Sequence, residues 1–212
     1  MNKEPSVCLN TSYLGPIQHY AKLMQFNHCI VEVYDHYGKQ SYRNRCNIYG
    51  ANGLLPLSVP IKKDRPKVYT KDILIDYDTN WRKMHWKGIE SAYQSSPFFE
   101  FYRDDFLPFY EKKYLFLIDF NMDLEAMILD FLEIDCQVEF SDHFIQPGKS
   151  TFDYRDVFHP KKKRRGEDAH FKPVEYPQVF DEKHGFIPNL SIIDLLFNEG
   201  PNASLILESC IQ

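Results

Sequence analysis

The sequence predicts a mixed α/β fold, with a partly parallel sheet, flanking helices and a β-hairpin in a single domain. Three observations carry that expectation. The chain opens in strand, helix, strand order, which favours a right-handed βαβ unit with parallel pairing. A Gly50-Ala51-Asn52-Gly53 turn then joins two extended runs, and an almost wholly apolar helix stands near the C-terminus.

In order, Ser6 to Asn10 alternates apolar and polar residues as a strand does. Gly15-Pro16 starts a helix, in which Ile17, Tyr20, Ala21 and Met24 recur at helical spacing. Cys29 to Tyr34 is β-branched and aromatic, a second strand with Glu32 in its middle. Residues 42–49 and 54–61 form the hairpin, and Lys71 to Tyr77 a further strand. Trp81 to about Ser95 reads as a helix that stops before Ser96-Pro97. Phe98 to Glu111 and Met122 to Glu133 follow as helices, and Cys136 to Phe140 as a brief strand. Residues 141–185 lack a clear period and are expected to be irregular, with the solvated basic run Lys161 to Arg165 at their tip. The helix Leu190 to Glu199 is closed by Gly200-Pro201, and a last helix, about 201–210, should pack Leu205 and Ile206 inward.

Composition narrows the function. With 43% hydrophobic and 16% aromatic residues among 212, the chain is too rich in core formers for disorder. Nowhere do about 18 uncharged apolar residues run together, so no membrane-spanning helix and no signal peptide are expected, and a cytoplasmic location is. Five scattered cysteines, none at metal or redox spacing, fit a reducing compartment, and Cys46 reads as a small core residue. The net charge of −5 speaks against nucleic acid as a partner, yet it is unevenly spread. Lys39 to Lys87 holds 11 basic residues against 4 acidic ones, and Phe98 to Asp142 holds 12 acidic against 3 basic.

The densest polar stretch runs from Lys39 to Asn47, with Lys39, Arg43 and Arg45 among three side-chain amides. Arginine grips phosphate or carboxylate with two parallel hydrogen bonds, so an anionic small molecule is the expected partner. If the segment is a strand, Arg43 and Arg45 share one face and Asn44 lies on the other. The turn Tyr13 to His19, with Tyr13 and Gln18, is a second candidate, because helix N-termini offer unpaired N–H groups to anions. A third is the polar stripe Ser191, Asp194 and Asn198 on the apolar C-terminal helix, near Tyr176, Gln178 and Asn189. A buried Asp194 needs a partner, and Arg43 or Arg45 is the expected one. His85 reads as a structural histidine with acid–base chemistry as the alternative. No HExxH, GxSxG, Walker or GxGxxG pattern occurs, and the residues name neither a cofactor, a metal set nor a catalytic group.

The segments Thr11 to Tyr20, Lys39 to Arg45, Leu57 to Pro60 with Trp81, Tyr176 to Phe180 and Phe186 to Leu196 together resemble the WbqC-like family of bacterial proteins, especially its Bacteroidetes-type members. Many members carry Gln-Pro-Tyr where this chain has Thr11-Ser12-Tyr13, and paired aspartates where it has Glu32 and Asp35. The resemblance implies a link to O-antigen or other surface-polysaccharide gene clusters. From it we expect an enzyme of surface-glycan precursor synthesis, transferring an acyl, aminoacyl or nucleotidyl group to a sugar nucleotide. A non-catalytic glycan-precursor-binding or assembly protein is the second reading.

Overall fold

The computed structural model describes residues 6–62, 67–149, 152–161, 163 and 165–212. The fold is mixed α/β. Strand β1 (Ser6–Leu9), helix α1 (Ile17–Gln25) and strand β2 (His28–Val31) form the expected unit, with β1 and β2 parallel from Ser6 opposite His28 to Leu9 opposite Val31. Val7, Cys8 and Leu9 are fully buried, as a parallel strand covered on both faces must be. Ile17, Tyr20 and Ala21 of α1 face the core as their spacing predicts. Gln18, His19 and Lys22 are buried as well, so α1 is enclosed on its polar side too.

Strand β2 ends one residue before Glu32, which sits just beyond the strand and not in its middle. The hairpin strands β3 (Arg45–Gly50) and β4 (Gly53–Ser58) pair antiparallel, with Gly53 at φ +92° supplying the left-handed turn conformation. Tyr42–Asn44, expected as strand, is a single 3-10 turn. Arg43 and Arg45 therefore do not share a strand face. Lys71 to Tyr77 is also not a strand: a 3-10 turn over Thr70–Asp72 leads into isolated bridges, Ile75 with Ile61 and Leu74 with Phe116, that leave Ile73 and Ile75 buried.

Helices α2 (Trp81–Tyr93) and α3 (Phe99–Glu111) flank Pro97 as expected. Helix α4 (Leu117–Phe131) begins five residues earlier than its clearest apolar spacing, because Leu117, Ile118, Phe120 and Asn121 already belong to its buried face. Strand β5 (Gln137–Phe140) joins β2 in parallel, and β6 (Phe152–Asp153) joins β1 in parallel, giving the order β5-β2-β1-β6. Strand β6 and the short α5 (Asp181–His184) lie in the span expected to be irregular. A two-residue strand has no period to read; it forms because the open edge of β1 accepts it.

Helix α6 (Ile192–Glu199) is buried from Ile192 to Asn198, and Phe197 takes edge-on contacts from Tyr93, Phe99 and Phe106. In α7 (Ala203–Ser209) the buried residues are Ala203 and Leu207, and Ile206 packs half-buried against the core as expected. Leu205, expected inside, is 64% exposed, because the helix begins at Ala203 and its i, i+4 pair sets the buried face.

Candidate functional site

Strand β1 lies between β2 and β6. The chain leaves β1 towards β2 and later places β6 on the other side, so the strand order reverses at the β1–β6 pair. Open parallel sheets bind ligands in the crevice outside the carboxyl ends of their strands at such a reversal. A cavity of about 470 Å³ occupies that place here. Asn10, Thr11 and Ser12, which follow β1, line it together with Arg155, Asp156, Phe158 and His159, which follow β6. His19 of α1 and the Gly38 to Arg43 connection complete the wall.

The two arginines of the wall are both held by carboxylates. Arg155 donates from Nε to Asp153 Oδ1 at 2.8 Å and from Nη2 to Asp153 Oδ2 at 2.6 Å, and its Nη1 donates to the Ile145 carbonyl at 2.8 Å. Glu32, fully buried, lies 3.4 Å from the same Nη1 and accepts from the Ser141 hydroxyl and the Ile145 amide. Burial pushes the Asp153 carboxyl up, but the hydrogen bonds from Arg155 outweigh it and hold the carboxyl below its ordinary value. Arg43 pairs with Asp35, which also accepts from Thr70 Oγ1, and its Nη2 donates to Asn10 Oδ1 at 2.7 Å. Asn10 in turn donates to the Arg155 carbonyl at 2.8 Å and so ties the two arginine clusters together.

Of the sequence candidates, Lys39 and Arg43 line this cavity; Tyr13, Gln18, Asn44, Arg45, Asp194 and Asn198 do not. Arg45 donates from Nε to Ser58 Oγ at 2.9 Å, and Asn44 bridges the Tyr37 hydroxyl and the Val59 carbonyl. The Tyr13 hydroxyl is buried between His85 Nδ1 and the Tyr110 hydroxyl, each at 2.9 Å. Burial lowers His85 to about 4, so the ring is neutral at physiological pH, as a structural histidine should be. Gln18 bonds Asp168 and Asn189, which ties α1 to the C-terminal third of the chain.

The expected meeting of Asp194 with an arginine does not occur. Asp194 accepts from the Tyr93 hydroxyl at 2.7 Å, the Tyr176 hydroxyl at 2.6 Å and Gln178 Nε2 at 2.8 Å, and Asn198 donates to its carbonyl. Neutral donors satisfy the buried carboxyl, and burial raises its pKa. The N-terminus of α1 is not an open anion site either. Its first amides are taken: Ile17 donates to the Leu190 carbonyl, Gln18 to Asn189 Oδ1 and His19 to the Pro16 carbonyl. Of the basic run, Lys162 and Arg164 lie outside the described residues. Lys161, Lys163 and Arg165 are exposed, and Arg165 Nε donates to the carbonyl of His159, a cavity-wall residue, at 3.4 Å.

Sequence reasoning missed Asn10, Asn121, Glu125 and Arg155. His19 Nε2 lies 2.7 Å from Glu125 Oε2, and Asn121 Nδ2 donates to Thr11 Oγ1 at 3.0 Å and to the Arg43 carbonyl at 2.8 Å. Asn121 and Glu125, at i and i+4 in the apolar α4, formed a polar stripe like the one that drew attention to Asp194. Among the described residues, five buried side-chain polar atoms lack a hydrogen-bond partner. Four of them, His19 Nδ1, Arg43 Nε, Asn121 Oδ1 and Glu125 Oε1, belong to residues in or directly behind this crevice. Unsatisfied buried groups are rare in folded proteins, and their concentration here makes this crevice the candidate site.

The cysteines take no part in it. Burial pushes the Cys8 thiol to about 12 and raises Cys46 further, which suits small core residues. Among the described residues no three His, Cys, Asp or Glu side chains gather to hold a metal ion.

Fold and crevice together define an open, parallel-sheet α/β protein with a polar, arginine-bearing cleft at the carboxyl ends of its strands. Comparison with known proteins supplies the family. A model of the WbqC-like protein family matches residues 11–165 and 158–206, and the chain belongs to that family. It is also similar to the uncharacterized protein Rv1507c of Mycobacterium tuberculosis (strain ATCC 25618 / H37Rv), 30% identical over 206 residues that cover 85% of this chain and 88% of that one. No solved structure matches the chain significantly.

Proposed function

We propose that the crevice binds an anionic precursor of a surface polysaccharide, of the sugar-nucleotide type, and that the protein is a transferase acting on it. One observation carries this reading. Arg43 is fixed by Asp35 and Asn10 at the mouth of a strand-end cavity, yet its Nε–H remains unspent. A guanidinium already oriented by a carboxylate loses little entropy when it takes up a further acceptor. Lys39 on the same wall and Arg165, bonded to the His159 carbonyl, add positive charge at the rim. The cavity volume falls in the range of small-molecule sites, about 300–1,000 Å³. The family name adds the association with polysaccharide synthesis.

A second reading is a non-catalytic binding or assembly protein. It draws on the carboxylates that already neutralise both arginines, an arrangement suited to recognising a ligand more than to stabilising charge that develops during a reaction. Equilibrium binding of UDP-, GDP-, dTDP- and CMP-sugars, followed by product analysis with acyl and aminoacyl donors, separates the two. Turnover supports the transferase, and saturable binding without product supports the binding protein. If no sugar nucleotide bound, or if Arg43→Ala bound them as well as the unaltered protein, the reading would fail.

A further inference from the structure

We infer that the floor of the crevice, at His19, accepts a hydrogen bond from a hydroxyl or amino group of the ligand, with Glu125 as its positioning residue. This rests on the reading of the crevice as a sugar-nucleotide site and names the part of that ligand which the floor selects.

A carboxylate accepts hydrogen bonds and cannot donate them. The 2.7 Å contact with Glu125 Oε2 therefore places a hydrogen on His19 Nε2. In the neutral ring the other nitrogen, Nδ1, is then an acceptor with its lone pair in the ring plane. It has no partner, although the residue is only 1% exposed and lines the cavity. Its placement is determined from three sides. Glu125 on α4 holds Nε2. The Cδ2 edge faces Gly15, where an added Cβ would come within 3.2 Å of it, and Phe158 of the cavity wall meets the ring edge-on with centroids 6.0 Å apart. Nδ1 is the polar atom left to offer.

The neighbouring unsatisfied atoms have the same polarity. Asn121 Oδ1 and Glu125 Oε1, in the layer directly behind the cavity, are also acceptors without partners, so acceptors gather on the His19 side, while the donors Lys39 and Arg43 belong to the wall. A ligand that satisfies both halves is anionic at one end and rich in hydrogen-bond donors at the other. A nucleoside diphosphate joined to a hexose or amino-hexose has this character, and the sugar is the end that the floor takes.

The substitution His19→Gln separates a structural role from a ligand-binding one. The glutamine amide nitrogen can donate to Glu125 as Nε2 does, but the side chain has nothing in the place of Nδ1. The probes are UDP and UDP-glucose. The ratio of their affinities is expected to narrow about tenfold in His19→Gln, the size of one lost hydrogen bond. In unaltered protein labelled with nitrogen-15 at histidine, Nδ1 of His19 should resonate as an unprotonated ring nitrogen, and it should shift with UDP-glucose more than with UDP. A ring that carries a proton on Nδ1, whether neutral or doubly protonated beside Glu125, overturns the inference, as does binding of both probes with an unchanged ratio or an unmoved Nδ1 signal. If neither probe binds, the sugar-nucleotide reading falls and this inference with it. If they bind but His19 does not respond, this inference alone fails.

Discussion

The Tyr93 hydroxyl donates to Asp194 Oδ1 at 2.7 Å, within a cluster in which the Tyr176 hydroxyl and Gln178 Nε2 donate to Oδ2. It joins α2, α6 and the segment before α5 through one carboxyl group that is fully buried. Asp194→Ala removes the acceptor of three buried donors and is expected to cost about 3 kcal/mol, read as the shift in urea midpoint. Because burial raises the carboxyl above its ordinary value, the folded state holds this proton more tightly than the unfolded chain. The stability tied to Asp194 is therefore fully present below the unfolded pKa of 3.8 and is lost as pH rises through the folded value. Asp194→Asn should abolish that part of the pH dependence.

His85 produces the opposite slope. Its folded pKa is about 4 against 6.5 in the unfolded chain, so the unfolded state takes up the proton first as pH falls. The stability contribution is complete above 6.5 and is lost between 6.5 and about 4, on the order of 3 kcal/mol across that window. Urea denaturation at several pH values should show this loss, and His85→Gln should flatten it. An unchanged profile in the variant would show that His85 is not buried neutral between Tyr13 and α2's surroundings.

The pairing of Arg43 with Asp35, and not with Asp194, can be measured directly. A double-mutant cycle of Arg43→Ala with Asp35→Ala is expected to show a coupling energy above about 1 kcal/mol. The cycle of Arg43→Ala with Asp194→Ala should be additive within about 0.5 kcal/mol, because the two residues share no partner. Equal couplings would contradict the geometry of the crevice.

Gly200 closes α6 at φ +54°, and a Cβ added there would lie 2.5 Å from the Phe98 ring. Gly200→Ala combines left-handed backbone strain with a clash against that ring, and we expect a loss of about 2 kcal/mol or more with α6 and α3 prised apart. Thermal unfolding reads the loss. Gly148→Ala, also at positive φ but with open space around its Cβ position, should cost less.

Much of the fold was legible in the sequence. Local spacing and punctuation suffice for α1, α2, α3 and α6, for the parallel β1–α1–β2 unit and for the hairpin, since each is specified by neighbours a few residues away. The resemblance of several separate segments to one family was likewise present in the residues themselves. What the tertiary structure decided is who meets whom. Strand β6 exists because β1 has an edge to fill, and the 3-10 turn at Tyr42–Asn44 turns Arg43 towards Asp35. Asp194 found hydroxyls where an arginine was expected, because two tyrosines and a glutamine from distant segments already saturate it. The crevice, with Asn121 and Glu125 behind it, comes from four stretches spread from Asn10 to His159. Its members carry no common period, since long-range contacts are set by the packing of whole elements and not by the local spacing of residues.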